Sequence, residues 1–520
     1  MDSFLTFLNG FAALADPTIL AFMVGGFLVG TFFGAMPGLT SVLAIALLLP
    51  ITYTIDVVPA LVMCAAIFMA GMYSGSITAT TINIPGAPSS MMTAVEGHAL
   101  MKKGHGANAL GHAALGSMIG GSIGVLFLMA FMPLAAQLSL LVRTPGKFSL
   151  VLFALVVIVI VDKGSIAKGF VAAFLGIMLA TIGIDVLQPI PRFSFGTEVL
   201  IEGIDLMPLV IGAFAVSEIL IQASTRDSEL AQSIERAKGL RIRRRDFLPS
   251  MEEIRRIGFF TYIKGSIIGY LIGILPGAGG SMAAFVSYAE AQRSSDHPEE
   301  YGRGSRQGIA AAESANNSMC SGAFVPMLMF GIPGDPTTAI VLGVLVINGL
   351  QPGARLLDNQ IDLIAPMFAS LFISALILIP LTLWLFGPWF VRIVSIPRGL
   401  LYSSIAVVAM VGAYVATYSV FQMSLALVFG VLAYFMRKQN YSTVSMLLGF
   451  ILGPGLEQYL RRSLSLNDGN PMVFLTSPDS LFFLLLTALF VYLILIRKPK
   501  GSKSEREEVA EEMQKYEEEL

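Results

Sequence analysis

Apolar stretches, many of them long enough to cross a lipid bilayer, recur along the whole chain. They fall at residues 18–36, 38–51, 57–72, 76–95, 108–141, 148–161, 166–187 and 205–222, then at 257–291, 307–332, 337–350, 360–392, 399–415, 419–436, 441–455 and 479–496. A helical span takes about 20 apolar residues. Only 13% of the 520 residues are charged and 55% are hydrophobic, against roughly 25% charged in an ordinary soluble domain. A water-soluble globular fold is therefore excluded. The composition predicts an all-α polytopic membrane protein with on the order of ten to fourteen helical spans and shorter re-entrant pieces. With a net charge of -2 the chain has no basic field for nucleic acid. Cys64 and Cys320 stand far apart in apolar surroundings without metal-ligand or disulfide spacing, and read as packing residues. The N-terminus carries Asp2 instead of a basic leader segment and is expected to be retained.

The pattern divides the chain. Residues 223–256 hold nine Lys/Arg against six Asp/Glu and read as a basic cytoplasmic linker between a first membrane repeat, 1–222, and a second, 257–496. The tail, 497–520, is too charged to enter lipid. Gly34-Ala-Met-Pro37-Gly38 in the first half matches Gly273-Ile-Leu-Pro276-Gly277 in the second at an offset of 239. Asn83-Ile-Pro85-Gly86-Ala-Pro88-Ser89-Ser90 matches Gly331-Ile-Pro333-Gly334-Asp335-Pro336-Thr337-Thr338 at an offset of 248. Equivalent loops differ in charge. Arg293, Arg303 and Arg306 occupy a second-half loop whose counterpart near Asp56 has no base, whereas Lys102-Lys103 follow the first hairpin and its counterpart near Arg355 is almost uncharged. By the positive-inside rule such loops face opposite sides, which predicts inverted-topology repeats with broken helices and re-entrant hairpins. The N-terminus is then periplasmic, and the linker and C-terminus are cytoplasmic.

Pro-Gly inside an apolar stretch breaks a helix, because proline removes a donor and glycine accepts unusual backbone angles. A helix that restarts after the break presents free N–H groups and a positive dipole end suited to a carboxylate. The opposite end offers carbonyls suited to a cation. Four such breaks, at Pro37, Pro85, Pro276 and Pro333, are related in pairs, unlike a random set of packing kinks. Polar residues gather beside them, and Glu313 and Asp335 are acids in the second-half hairpin region, where an ionisable group points to function. The Gly-rich run ending at Ser281 lacks the Gly-Lys-Ser/Thr ending of a phosphate loop. His98, His105 and His112 recur at seven, but glycines break the stretch and no acid completes a metal site, so a polar turn is the better reading. No hydrolase motif supports an enzyme.

Together the paired Gly-x-x-Pro-Gly motifs, Tyr73-Ser-Gly-Ser leading to Asn83-Ile-Pro-Gly, the run Glu313-Ser-Ala-Asn316-Asn317, and Gly331-Ile-Pro-Gly-Asp-Pro-Thr resemble the large membrane subunit of tripartite tricarboxylate transporters, the TctA family. The resemblance covers most of residues 10–455. Leu39-Thr40 stands where the second half has Ala-Gly-Gly, so the first site is the less open. The resemblance implies a multi-pass subunit of the bacterial inner membrane, surrounded by lipid, that works with a small membrane subunit and a periplasmic solute-binding protein. It also implies the ion-transporter superfamily and an elevator-type motion. A trianion moving inward meets about 2.3 kcal/mol per charge per 100 mV, roughly 7 kcal/mol in all, so a coupling cation is required. Lys264 is the nearest base at membrane depth. No cofactor is expected beyond Na⁺ or H⁺. The expected substrate site comprises Gly38, Thr40, Ser41, Gly86, Ser89, Gly277, Gly279, Gly280, Gly334 and Thr337; the expected Na⁺ ligands are Ser74, Asn83, Asn316, Asn317, Ser321 and Asp335. A passive anion channel and a non-transporting assembly or sensor subunit are the rival readings. The identity of the carboxylate and association into a homo-oligomer stay open.

Overall fold

The computed structural model describes residues 2–161, 165–224, 243–393 and 398–493. Most of the basic linker and the whole charged tail lie outside the described residues. Within them the chain is helical, apart from loops and one short antiparallel ribbon, Gly183–Ile184 with Pro191–Arg192. Among the described residues eight helices are long and apolar enough to cross a membrane, and a ninth if Arg244–Ile257 and Phe259–Ile274, bent by 91°, form one span. The number of whole spans is lower than composition predicts because apolar residues are also used in shorter helices such as Ser41–Tyr53, Ile166–Ala180, Pro336–Ile347 and Pro478–Val491.

The centre is a pair of buried helices, Val57–Ile82 and Arg306–Phe330. The first runs unbroken through Ser74-Gly75, where the apolar pattern predicts a division. Its hydroxyls bond back to carbonyls of the same helix, Ser76 to Tyr73 at 2.7 Å and Thr81 to Ile77 at 2.7 Å, so a polar run does not interrupt the ladder. Each helix ends on a left-handed residue, Asn83 (φ 59°) and Gly331 (φ 68°), the usual way of stopping a helix.

Each central helix has a glycine-striped neighbour. On Pro17–Gly34, a Cβ added to Gly26, Gly30 or Gly34 would meet the carbonyl oxygens of Met63, Ile67 and Gly71 at 2.8, 2.6 and 2.6 Å. On Phe259–Ile274, a Cβ at Gly265, Gly269 or Gly273 would meet the carbonyls of Ala311, Ala315 and Met319 at 3.0, 2.1 and 2.5 Å. The two sets of contacts are shifted by 239 residues on the striped helix and 248 on its partner, the offsets read from the motifs. Small residues at four-residue spacing let the helix backbones approach closely.

Around this pair pack Gly106–Leu140 and Ala354–Ile373. A second set of helices, Thr144–Val161, Ile166–Ala180, Leu206–Ser224, Val420–Lys438, Thr443–Ser465 and Pro478–Val491, packs mainly on itself. Ser41–Leu48 and Pro336–Ile347 lie where the two sets meet.

One cluster of polar contacts joins the Lys103 loop to the second half, and a separate network pairs Arg192 and Arg461 with Asp185 and Glu457. Lys103 Nζ donates to the Arg303 carbonyl at 2.7 Å, Arg306 pairs with Glu253 at 3.2 Å, and Arg256 pairs with Glu300. Glu96, buried, accepts from Tyr288 Oη and from the amides of Gly302, Gly304 and Ser305 at 2.5–2.8 Å, which ties the Met91–Lys102 helix to the second-half loop. The described end of the linker is anchored by Phe247, which is buried and fills the space left by Gly111 and Gly387. In contrast, the turn Leu49–Tyr53 packs against Pro336–Ile347 and Arg398–Thr417.

Gly269→Ala should lower the apparent melting temperature in detergent, because a Cβ 2.1 Å from the Ala315 carbonyl forces the helices apart at a cost of about 1–3 kcal/mol. Gly25→Ala, whose Cβ meets nothing within 4 Å, should be neutral or stabilising by up to about 1 kcal/mol. Equal melting temperatures would mean that the stripe does not hold the helices together.

Candidate functional site

The four helix breaks are closed by backbone contacts that only glycine permits. A Cβ on Gly86 would lie 2.1 Å from the Gly34 carbonyl, and one on its counterpart Gly334 would lie 2.6 Å from that of Gly273. The Gly86 amide donates to the Gly75 carbonyl at 3.2 Å, and the Gly277 amide donates to the Gly334 carbonyl at 3.0 Å. Each half therefore binds its own two breaks together.

Beyond the breaks, helices restart toward one another. Thr40 caps Ser41–Leu48 by accepting from the Leu43 amide at 3.4 Å. Asp335 caps Pro336–Ile347: its Oδ1 accepts from the Thr337 amide at 2.8 Å, while Thr338 Oγ1 accepts from the Asp335 amide at 3.0 Å. The halves then cross. Ser41 Oγ lies 3.3 Å from Thr337 Oγ1. A Cβ on Gly280, the counterpart of Ser41, would meet Ser89 Cβ at 3.0 Å, and Ser89 is the counterpart of Thr337. Gly279 has a left-handed backbone (φ +61°) and stands beside Asp335 Oδ2, which a Cβ there would approach to 3.3 Å. Met72 and Met319 cover Gly280, and Ser89 Oγ donates to Met72 Sδ at 3.4 Å. Four helix starts thus converge, those of Ser41–Leu48, Gly279–Arg293, Pro336–Ile347 and the turn Pro88–Ser90 that leads into Met91–Lys102, with one carboxylate among them. Their dipole ends and free amides favour anionic groups.

Other expected residues lie elsewhere. Gly38 (φ +83°) faces Gln222 and Glu218, and Gly277 (φ +73°) faces Ile158. Ser74 Oγ donates to the Gly30 carbonyl at 3.3 Å between packed helices. Asn83 is exposed and supplies the left-handed cap of its helix. Asn316, Asn317 and Ser321 are buried on Arg306–Phe330. Asn317 Nδ2 donates to the carbonyl of Met69, its own repeat counterpart, at 3.2 Å. Asn316 Oδ1, Asn317 Oδ1 and Ser321 Oγ have no partner. Unpaired oxygens in a buried helix are costly, and they are the donor type that Na⁺ takes.

Two features escape sequence reasoning. Glu96 is a lone acid after an apolar run, and nothing local announces the distant amides that bind it. The pair of Arg437 Nη1 with Glu218 Oε2 at 2.7 Å, beside Gly38, joins residues more than two hundred positions apart. Glu218 lies just after a π-helical stretch, Ile211–Val216, a distortion frequent at functional sites.

A helical membrane protein with paired breaks and converging helix ends has the features of the secondary-transporter class. The chain belongs to the tripartite tricarboxylate transporter TctA family, which it matches over residues 20–448. It is a transporter membrane subunit. It is 36% identical over 469 residues, 90% of this chain and 91% of the relative, to an Agrobacterium vitis protein described as an uncharacterized 52.8 kDa protein in the TAR-I ttuC' 3' region. A second Agrobacterium vitis protein, described as an uncharacterized protein in the TAR-II ttuC' 3' region, is 35% identical over 237 residues, 46% of this chain and 98% of that protein. No solved structure matches the chain.

Gly86→Ala should abolish recovery of folded protein, since its Cβ would strike a carbonyl oxygen at 2.1 Å. Gly280→Ala should fold, because the closest atom to its Cβ is the mobile Met72 Cε at 2.7 Å, yet transport should fall at least several-fold if the crossing is the binding site. Size-exclusion profiles and uptake assays on both variants check this; full uptake by Gly280→Ala would place the site elsewhere.

Proposed function

We propose that this chain is the large transmembrane subunit of a binding-protein-dependent secondary transporter that imports a tricarboxylate or related carboxylate across the bacterial inner membrane with Na⁺ or H⁺. The observation that carries the proposal is the convergence of four helix starts at Ser41, Ser89, Gly280 and Thr337. The substrate carboxylates accept from these amides and hydroxyls. Asp335 and the unpaired oxygens of Asn317 and Ser321 supply the cation sites. Each monovalent cation carried inward returns about 2.3 kcal/mol per 100 mV, so about three are needed to offset the roughly 7 kcal/mol that a trianion meets.

The two halves act as inverted repeats. Support comes from the loops: the first-half loop at Lys103 lies with the non-equivalent second-half loop at Arg303, while the turn at Leu49–Tyr53 lies with the Pro336–Ile347 helix. An antiparallel pair of repeats requires this arrangement. The face rich in Lys103, Arg256, Arg303 and Arg306 is cytoplasmic by the positive-inside rule, and the N-terminus is periplasmic. The helix set that carries the breaks slides as an elevator against the second set, and both Gly38 and Gly277 lie at that boundary, on Glu218 and Ile158. A small membrane subunit and a periplasmic binding protein complete the assembly.

In proteoliposomes, uptake of carboxylate should require all three components and an inward cation gradient; robust gradient-independent uptake by this chain alone overturns the proposal. Asp335→Asn keeps a good helix cap and removes the charge, so expression and melting should hold while the cation concentration for half-maximal uptake rises several-fold. For orientation, Lys103→Cys in a background lacking Cys64 and Cys320 should resist a membrane-impermeant maleimide in intact cells. Labelling from outside reverses the assignment.

A further inference from the structure

The Phe259–Ile274 helix starts at a sharp joint. The segment before it, Arg244–Ile257, is bent from it by 91°, with Gly258 at φ +78° between them. Since Phe259–Ile274 packs among the membrane helices, the bent segment runs along the membrane surface, where exposed Leu248, Met251, Phe259 and Phe260 meet lipid. Along the helix Phe260, Lys264, Ile267 and Leu271 follow at spacings of four, three and four residues, which puts them on one face. Phe260, Ile267 and Leu271 are exposed and Lys264 is partly so, so the helix turns this face away from the protein. Lys264 stands six residues past Gly258, about 9 Å along the helix. That is the depth at which head groups give way to acyl chains.

A cleft of about 280 Å³ opens beside it, between Phe259–Ile274, Gly279–Arg293 and Arg306–Phe330. Small side chains make the room, at Gly265, Ala291 and Ala311, and Thr261, Ser287, Ser294 and Gln307 line it with polar groups. Ser287 Oγ donates to the Ala311 carbonyl at 2.7 Å, and Gln307 Nε2 donates to Thr261 Oγ1 at 3.3 Å. Lys264 Nζ donates to Ser294 Oγ at 3.2 Å and pairs with Glu290 Oε1. Arg293, mostly exposed, pairs with Oε2 of the same carboxylate at 2.8 Å. Two bases thus share one acid, which leaves a surplus of one positive charge at this corner. The neighbouring bases are matched, Arg256 by Glu300 and Arg306 by Glu253. Asp296 lies exposed beyond the helix end and does not line the cleft.

A lysine at that depth, beside an open cleft and on a lipid-facing stripe, suits a negative charge that arrives from the bilayer. We infer that the cleft is a binding site for the head group of an anionic phospholipid, with its phosphodiester against Lys264 and Arg293 and its acyl chains along Ile267 and Leu271. The surplus positive charge matches the single negative charge of a phosphodiester, and a charge-assisted bond to either base is the strong kind. The Ser294 and Thr261 hydroxyls, which both donate and accept, serve the polar part of the head. A zwitterionic head fits less well, because its ammonium group would find Glu290 already held by both bases. A free phosphate would leave the apolar stripe without a use. By the orientation proposed above the lipid belongs to the cytoplasmic leaflet, but the site depends on neither that orientation nor the transport function.

The test is native mass spectrometry of the full chain, delipidated in detergent and titrated with dioleoyl phosphatidylglycerol. The wild type should retain one lipid per chain with an affinity at least tenfold above that for further copies. Lys264→Gln should lower that first affinity at least tenfold. Ser294→Trp, which fills the cleft from an exposed position, should do the same without disturbing the core, so it decides the matter even if Lys264→Gln fails to fold. Arg255→Gln, exposed on the bent segment and outside the cleft, should change the first affinity less than twofold. Dioleoyl phosphatidylethanolamine, dioleoylglycerol and glycerol 3-phosphate should each bind several-fold more weakly. Equal retention of any of the three overturns the inference, dioleoylglycerol by reducing the site to apolar contact and glycerol 3-phosphate by assigning it to a soluble anion. An affinity that Ser294→Trp leaves unchanged overturns it too, as does an equal loss in Arg255→Gln. Displacement of the lipid by the small membrane subunit would give the cleft to that partner and overturn it as well.

Discussion

A helix that stops inside an apolar environment leaves backbone donors and acceptors with no water to receive them, and everything at the centre of this protein follows from how those groups are satisfied. The first and second breaks of each half are brought so close that only glycine fits between them, Gly86 against the Gly34 carbonyl and Gly334 against that of Gly273. The Gly277 amide closes on the Gly334 carbonyl, and Thr40 and Asp335 cap the helices that restart. The glycine stripes at residues 26–34 and 265–273 serve the same end, because they set the distance at which the breaks meet. Where the backbone is held this closely, it can present its free amides without exposing them to lipid.

The two halves share a frame and divide the chemistry. Glu313, Asn316, Asn317 and Asp335 in the second half stand where the first half has Ala65, Phe68, Met69 and Ala87. At these four positions the acid and amide groups therefore belong to the second half alone. The first half supplies packing and hydroxyls to the second: Met69 receives Asn317, Thr93 and Ser117 bond to Glu313, and Ser41 meets Thr337.

Glu96 plays a different part. Its carboxylate gathers one tyrosine hydroxyl and three amides, a set of charge-assisted bonds that locks the first-half hairpin helix to the loop at residues 302–305. Truncating it would remove the acceptor shared by those amides, of which that of Ser305 is buried. Together with buried Phe247, it ties the basic end of the molecule together, whereas the boundary at Gly38 and Gly277 is where the two helix sets meet.

Much of this was legible from the residue order. Apolar stretches excluded a soluble fold, because the lengths needed to cross lipid are set by backbone rise alone. The paired Pro-Gly motifs located the breaks, since proline and glycine act on the local backbone whatever surrounds them. The packing contacts reproduce the same offsets, 239 and 248. Side-chain surroundings were not legible in this way. Asn83 and Asn317 look alike in the sequence, yet one is an exposed left-handed cap and the other is buried against Met69. Gly38 and Gly280 both follow a break, yet one faces Glu218 and the other Ser89. The partners of Glu96 and Glu313 come from segments far apart in the chain. Local backbone chemistry determined where this protein bends, and only the packing of distant helices decided which groups each bend faces.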